Sequence, residues 1–157
     1  MNIRQLDSQD YYEISPVINE WWGGRNMADM LPKVFFDHFQ DTSFVMERGG
    51  RIEGFLVGFL SQSKKGEAYI HFVGVHPEYR QLGIGKALYE QFFAEASSRG
   101  CQKVRCLTSP VNTGSIAYHT RMGFKIEKGD KLTDSGIHVH SDYDGKGQDR
   151  VLFVKAF

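Results

Sequence analysis

The 157-residue chain holds few cysteines, few prolines and no surplus charge: two Cys, four Pro, and 19 basic against 19 acidic side chains. Each scarcity removes a class of function. Two thiols cannot form a disulfide framework, and Cys101 and Cys106, close together at a strand entry, read as a pair of reduced thiols. A formal net charge of zero without a basic stripe argues against a dedicated nucleic-acid or membrane-surface binder. No apolar run reaches membrane-spanning length, and Met1 to Asp7 lack the apolar core of a signal peptide. Repeats, low-complexity tracts and linkers are also missing. The expectation is one domain, residues 1–157, in a reducing cytoplasm.

What the chain does have is glycine and aromatics in a clear order of elements. Asn2 to Leu6 reads as a first strand. Ser8 to Asp10 offer a cap for a helix over Tyr11 to Trp22, with Tyr12, Ser15/Pro16, Ile18 and Trp22 near one face and Pro16 as a flaw in the pattern. A second helix fits Met30 to Phe39, with Pro32 in its first turn. The period then changes to two. Ser43 to Glu47 and Ile52 to Ser61 form a hairpin through Arg48-Gly49-Gly50-Arg51, and Ala68 to Val75 continues the meander. Glu47 and Glu53, near strand ends, read as solvated. Beyond come helix 86–98, strand Lys103 to Thr108, helix Thr113 to Arg121, strand Phe124 to Glu127, a loop over 128–149, and strand Val151 to Val154. The order βααβββαβαββ predicts an α+β fold (α/β in the broad sense). Its sheet is mixed, mostly antiparallel and of about seven strands, with four helices on its faces.

Chemistry concentrates first at Arg80-Gln81-Leu82-Gly83-Ile84-Gly85-Lys86, between a strand closed by His76-Pro77 and a helix. A helix start leaves backbone N–H groups unpaired and carries partial positive charge. Two glycines admit a phosphate close to the backbone. Arg80 and Lys86 add cationic side chains, so the turn reads as a pyrophosphate cradle. It is no Walker loop, since G-x-x-x-x-G-K-[ST] is missing, and Leu88 stands where a dinucleotide fingerprint needs its third glycine. The second constellation is Asn112 to Phe124. Asn112 caps a helix, Gly123 ends it, and polar His119 lies one turn after Ser115.

The spacing R-x-x-G-x-G at Arg80, Gly83 and Gly85 resembles the acetyl-CoA motif of the GCN5-related N-acetyltransferase (GNAT) family. Asn112, Ser115, Gly123 and Phe124 resemble that family's N-x-x-[AS]-x-x-x-Y-x-x-x-G-F, and the element order is the same. The resemblance implies transfer of acetyl from acetyl-CoA to a primary amine, of a small molecule or a protein, by direct attack in a ternary complex. It implies that Val73 to Val75 hold pantetheine by their backbone. Gln81, Leu82, Gly83, Ile84, Gly85 and Lys86 would bind the pyrophosphate, with Arg80 beside it. Asn112 would meet the pantetheine or the departing thiol, and Ser115 and His119 would also contact the coenzyme. The family's tyrosine acid falls on His119, as in some family branches, while Tyr118 stands one residue away. An imidazole can donate a proton near neutrality, so His119 and Tyr118 are both candidate acids.

For the acceptor, Trp21 and Arg25, beside Gly23-Gly24, are candidate contacts, and His71 is read as facing the same way as Val73 and Val75. His71 and Glu67 lie on the strand where a base would be sought. His138-Val139-His140 with Asp142 and Asp144 lacks a third strong ligand at a recognisable spacing, so no metal is expected. That loop is expected to border the acceptor or a homodimer contact. The partners expected are acetyl-CoA and an amine, with neither nucleic acid nor membrane. A non-catalytic acyl-CoA-binding sensor of the same fold is the other function compatible with His119 in the tyrosine's position.

Overall fold

The computed structural model describes residues 2–157; Met1 lies outside them. Four antiparallel strands come first in the sheet: β1 (Asn2–Gln5), β2 (Phe44–Arg48), β3 (Arg51–Leu60) and β4 (Glu67–Val75). β5 (Lys103–Thr108) joins β4 in parallel, β9 (Val151–Ala156) lies antiparallel to β5, and β6 (Lys125–Ile126) closes the order β1-β2-β3-β4-β5-β9-β6. Helices α1 (Tyr11–Trp21) and α2 (Lys33–His38) cover one face; α3 (Ile84–Ser98) and α4 (Thr113–Arg121) cover the other. The expected seven-stranded α+β sheet with four helices is therefore present. No helix among the described residues is long and apolar enough to cross a membrane.

Local chemistry explains most of these elements. Gly49 and Gly50 take φ of 57° and 76°, and Arg48 pairs with Arg51, so the two glycines form the left-handed hairpin turn that suits strand twist. α1 runs through Pro16 unbroken, with Pro16 on the exposed side. The irregularity lies earlier, in a 3₁₀ turn over Ser8–Asp10, where Asp7 and Asp10 cap each other's backbone N–H groups. The inward stripe of α1 is Ile14, Ile18 and Trp21, not the face through Tyr12 and Trp22; Tyr12 is exposed. Apolar residues at i, i+4 and i+7 share a side, and that side drives packing. α2 is shorter than the sequence suggests because Pro32 sits at its N-cap and the chain leaves the helix at Phe39.

Two apolar clusters fill the space on either side of the sheet. Phe92, Leu88, Leu56, Met46, Val104 and Phe153 pack under α3 and α4. Phe36, Phe55, Val57, Ile14, Ile18 and Leu31 pack under α1 and α2. Cys101 and Cys106 are both free and buried, and burial raises both thiol pKa values.

Three further details depart from the sequence reading. Residues 128–149 are not simply a loop: β7 (Lys131–Leu132) and β8 (His138–Val139) form a second small sheet, and His140 bridges Arg150. Ile137 and Val139 alternate with the two histidines and pack on the core, and Gly129 lets the backbones touch, since a Cβ there would collide with the Val139 carbonyl. Glu53 is not solvated. It is the extra residue in a β3 bulge, 3 % exposed, with one carboxylate oxygen 3.2 Å from Arg48 Nε. The third departure concerns β4 and sets the geometry of the site.

Candidate functional site

β4 and β5 run parallel for only a short distance. Glu67, Ala68 and Tyr69 pair with Lys103, Val104 and Arg105, and no later pair exists between them. Beyond Tyr69 the strands diverge, leaving the backbone of Val73–Val75 without a β5 partner. β4 also carries a bulge at this point: Val57 opposes Phe72 and Gly58 opposes Ile70, so His71 is inserted. The insertion switches the strand's faces. Ala68 and Ile70 point to α3 and α4, while Phe72 points to α1 and α2; Val73 and Val75 return to the α3–α4 side. His71 therefore does not face the same way as Val73 and Val75. Its ring stacks on Phe35 of α2, 4.2 Å between centroids and 5° between planes. A period of two fails across a bulge, which no sequence alternation announces.

β4 ends at the glycine turn. Gln81 has φ of 69° and Gly83 φ of 82°, both in the left-handed region, just before α3 begins. The first bond into the helix runs from Ala87 N–H to the Gly83 carbonyl at 3.0 Å. The N–H groups of Ile84, Gly85 and Lys86 have no acceptor among the described residues. Ile84 buries its side chain in the core, whereas Gln81, Leu82 and Gly83 are exposed. Arg80 is fastened: its Nη2 donates to the Trp21 carbonyl at 2.6 Å and its Nε to the Val75 carbonyl at 3.3 Å. It thus ties the end of α1 to the end of β4. Lys86 is exposed and lies 3.9 Å from Glu90.

α4 faces this turn across the gap. Asn112 Oδ1 accepts from Ser115 N–H at 3.2 Å and caps the helix. Tyr118 reaches toward α3; a Cβ on Gly85 would stand 2.9 Å from its hydroxyl and 3.8 Å from Val75 Cγ2. The Tyr118 hydroxyl is buried without a hydrogen-bond partner among the described residues. Burial raises its pKa, so it is a phenol at neutral pH. His119 turns the other way, into the core, where it is 7 % exposed and stacks on Phe153 at 4.7 Å. Its Nδ1 lies 2.7 Å from the Ser115 carbonyl and 3.2 Å from the Ser115 hydroxyl; its Nε2 lies 2.8 Å from the Tyr89 hydroxyl. A carbonyl only accepts, so Nδ1 carries the hydrogen and Nε2 accepts from Tyr89. Burial lowers the His119 pKa. Tyr89 went unnoticed in the sequence because its place on α3 beside Phe92 fits an ordinary apolar stripe.

On the opposite face, Trp21 is 6 % exposed and packs on Phe55 and His76, so it is a core residue and not a wall of the site. Trp22 is the half-buried one, edge-on to Phe72 and against Gly74. Arg25 is exposed, past Gly23 and Gly24, and makes no ion pair among the described residues. His71 has its Nε2 2.6 Å from the Met30 carbonyl, and burial lowers its pKa. His138 and His140 belong to β8 and its bridge; His138 Nδ1 accepts from Gly129 N–H at 3.3 Å.

A sequence model of the Acetyltransferase (GNAT) family matches residues 2–124. An acetyltransferase of Sodalis glossinidius is 29% identical over 133 residues, 81% of this chain and 89% of that protein. A protein of Desulfovibrio desulfuricans described under the same family superposes with a TM-score of 0.81 at 16% identity, covering 99% of this chain and 98% of its own. A Salmonella typhimurium protein solved with its cofactor acetyl-CoA superposes with a TM-score of 0.69 at 21% identity, covering 99% and 93%.

Proposed function

This chain belongs to the GNAT family of acetyltransferases, and from that premise we propose that it moves the acetyl group of acetyl-CoA to a primary amine, of a small molecule or a protein, by direct attack in a ternary complex. The observation that carries this reading is the unbonded first turn of α3, at Ile84, Gly85 and Lys86, beside the gap where β4 leaves β5. Residues 1–157 act as a single catalytic domain.

The residues fit acetyl-CoA. The N–H groups from Gln81 to Lys86 bind the pyrophosphate, helped by the dipole of α3. The edge of Val73 to Val75 that has no β5 partner takes the amide-bearing arm along the open side of β4. Asn112 and Ser115 flank its far side, Asn112 through the helix cap that sets the α4 start. Bound there, acetyl-CoA supplies an activated thioester. Arg80 holds the turn in place through Trp21 and Val75 and is not the main phosphate ligand. Tyr118, not His119, is the proton donor to the departing thiolate. Its hydroxyl is unpartnered and lies at the start of α3, whereas both nitrogens of His119 are occupied. The phenol, kept protonated by burial, has a proton to give.

Thiol release from acetyl-CoA with a panel of primary amines, read with acetylated product by mass spectrometry, tests the reading. Coenzyme-dependent acetylation of at least one amine is expected. Tight acetyl-CoA binding with no release on any amine would instead favour a sensor.

A further inference from the structure

Two residues beyond its last β5 partner, Tyr69, β4 carries its inserted residue, His71. The bulge sets the imidazole at the fork between the strands, on the face opposite the α3–α4 packing. The ring is doubly fixed. It lies flat on Phe35, and Nε2 donates to the Met30 carbonyl at 2.6 Å. Because a carbonyl only accepts, Nε2 holds the hydrogen and Nδ1 carries the lone pair. Nδ1 has no partner among the described residues, and it is not sealed from solvent. A neutral histidine with one nitrogen tied and the other open is a preorganised base.

We propose that His71 is the general base of this acetyl transfer, taking the proton of the acceptor ammonium on Nδ1; the inference rests on the acetyl-transfer reading above. The ammonium gives one proton to Nδ1, and the freed nitrogen lone pair forms the N–C bond to the thioester carbonyl. The C–S bond breaks, and its electron pair leaves on sulfur. Tyr118 protonates the thiolate, and the nitrogen's second proton restores the Tyr118 hydroxyl. The His71 imidazolium then releases its proton to solvent. One ammonium and one thioester become one amide, one thiol and one proton.

The surroundings suit the role. Facing the ring are Phe35 from α2, the Met30 carbonyl ahead of α2, and Phe72 from its own strand. No charged side chain contributes to its titration; burial lowers its pKa and the Met30 bond opposes that. The base is therefore unprotonated at neutral pH.

The test follows kcat and KM for wild type, His71→Gln and His71→Phe between about pH 5 and 8. The probes are an alkyl amine that the wild type acetylates and hydroxylamine, a far weaker base whose nitrogen is mostly neutral in the upper part of this range, where the two are compared. Both variants should lower kcat for the alkyl amine by about 10²–10⁴-fold and remove the acid-side fall in its rate. Hydroxylamine should lose far less, and calorimetric acetyl-CoA affinity should be unchanged. His71→Phe keeps a ring on Phe35, so at least one variant retains that packing, as melting curves will report. Equal losses for both nucleophiles, or an unchanged acid limb in a folded variant, would overturn the assignment of His71 while leaving acetyl transfer intact. A wild type that binds acetyl-CoA but acetylates neither probe nor any other amine would overturn both.

Discussion

The Tyr89 hydroxyl donates a hydrogen bond to Nε2 of His119 at 2.8 Å, reaching from α3 to α4 inside the core. That bond, with the one from Nδ1 to the Ser115 carbonyl, fixes the imidazole in one neutral tautomer. It also separates the two candidate acids. The side chain that falls in the family tyrosine's position is tied inward, and its neighbour Tyr118 extends toward the glycine turn at the start of α3.

Acid should therefore destabilise the fold through His119. The folded state lowers its pKa from the usual 6.5, so the unfolded chain takes up the proton first. The stability it contributes is complete above about 6.5 and is lost as pH falls from there through the folded value. The groups packed around it, Ser115, Tyr89, Phe124 and Phe153, carry no charge that would offset this. His71 has the same sign. Melting temperatures measured across this range should fall less steeply for His119→Gln than for wild type. Parallel curves would show that folding does not lower the imidazole's pKa.

Tyr118→Phe and His119→Phe should fail in different ways. Tyr118→Phe removes an unpartnered hydroxyl, so stability should be unchanged or slightly higher, while kcat falls by about 10²-fold or more. His119→Phe strands the Tyr89 hydroxyl in the core at a cost of about 1–3 kcal/mol. Its main effect should be a lower melting temperature, with turnover per folded molecule largely kept. Urea titration beside steady-state kinetics measures both.

Gly85→Glu should abolish acetyl-CoA binding in calorimetry, because its side chain would enter the space of the Tyr118 hydroxyl and bring negative charge to the start of α3. Gly83→Ala should act differently. Nothing crowds a Cβ there, but φ of 82° disfavours it, so about 1–2 kcal/mol of stability should be lost. Unchanged affinity in Gly85→Glu would rule out the pyrophosphate assignment.

Arg80→Lys distinguishes a fastening role from a phosphate contact. Lysine keeps the positive charge but cannot reach the Trp21 and Val75 carbonyls in the same forked geometry. If Arg80 chiefly fastens the turn, the lysine variant should resemble Arg80→Ala, with similarly weakened acetyl-CoA affinity and faster proteolysis near the end of α1. If lysine restores affinity, the charge itself is what matters.

Much of the architecture was legible because its signals are local. Gly49-Gly50 announced a hairpin, Asn112 a helix cap, and Gly83 and Gly85 a strand-to-helix turn. The bounds of β5 and α4 agree with the sequence reading to the residue. Alternation misleads where a strand is interrupted: the bulge that inserts His71 takes it off the face of Val73, and a second bulge buries Glu53. On α1 the inward side runs through Trp21 rather than Trp22. In the 128–149 segment, abundant glycine and aspartate masked the short alternation of Ile137 and Val139.

By itself the sequence determined the order of elements, the glycine turn between β4 and α3 and the family to which they belong, because caps, glycines and apolar periods act over a few residues. Only the tertiary structure decided which of two adjacent side chains, Tyr118 or His119, reaches the turn, and to which face β4 directs His71. Those choices depend on Tyr89, Phe153, Phe35 and Met30, all distant in sequence and brought into contact by the packing of the sheet and its helices.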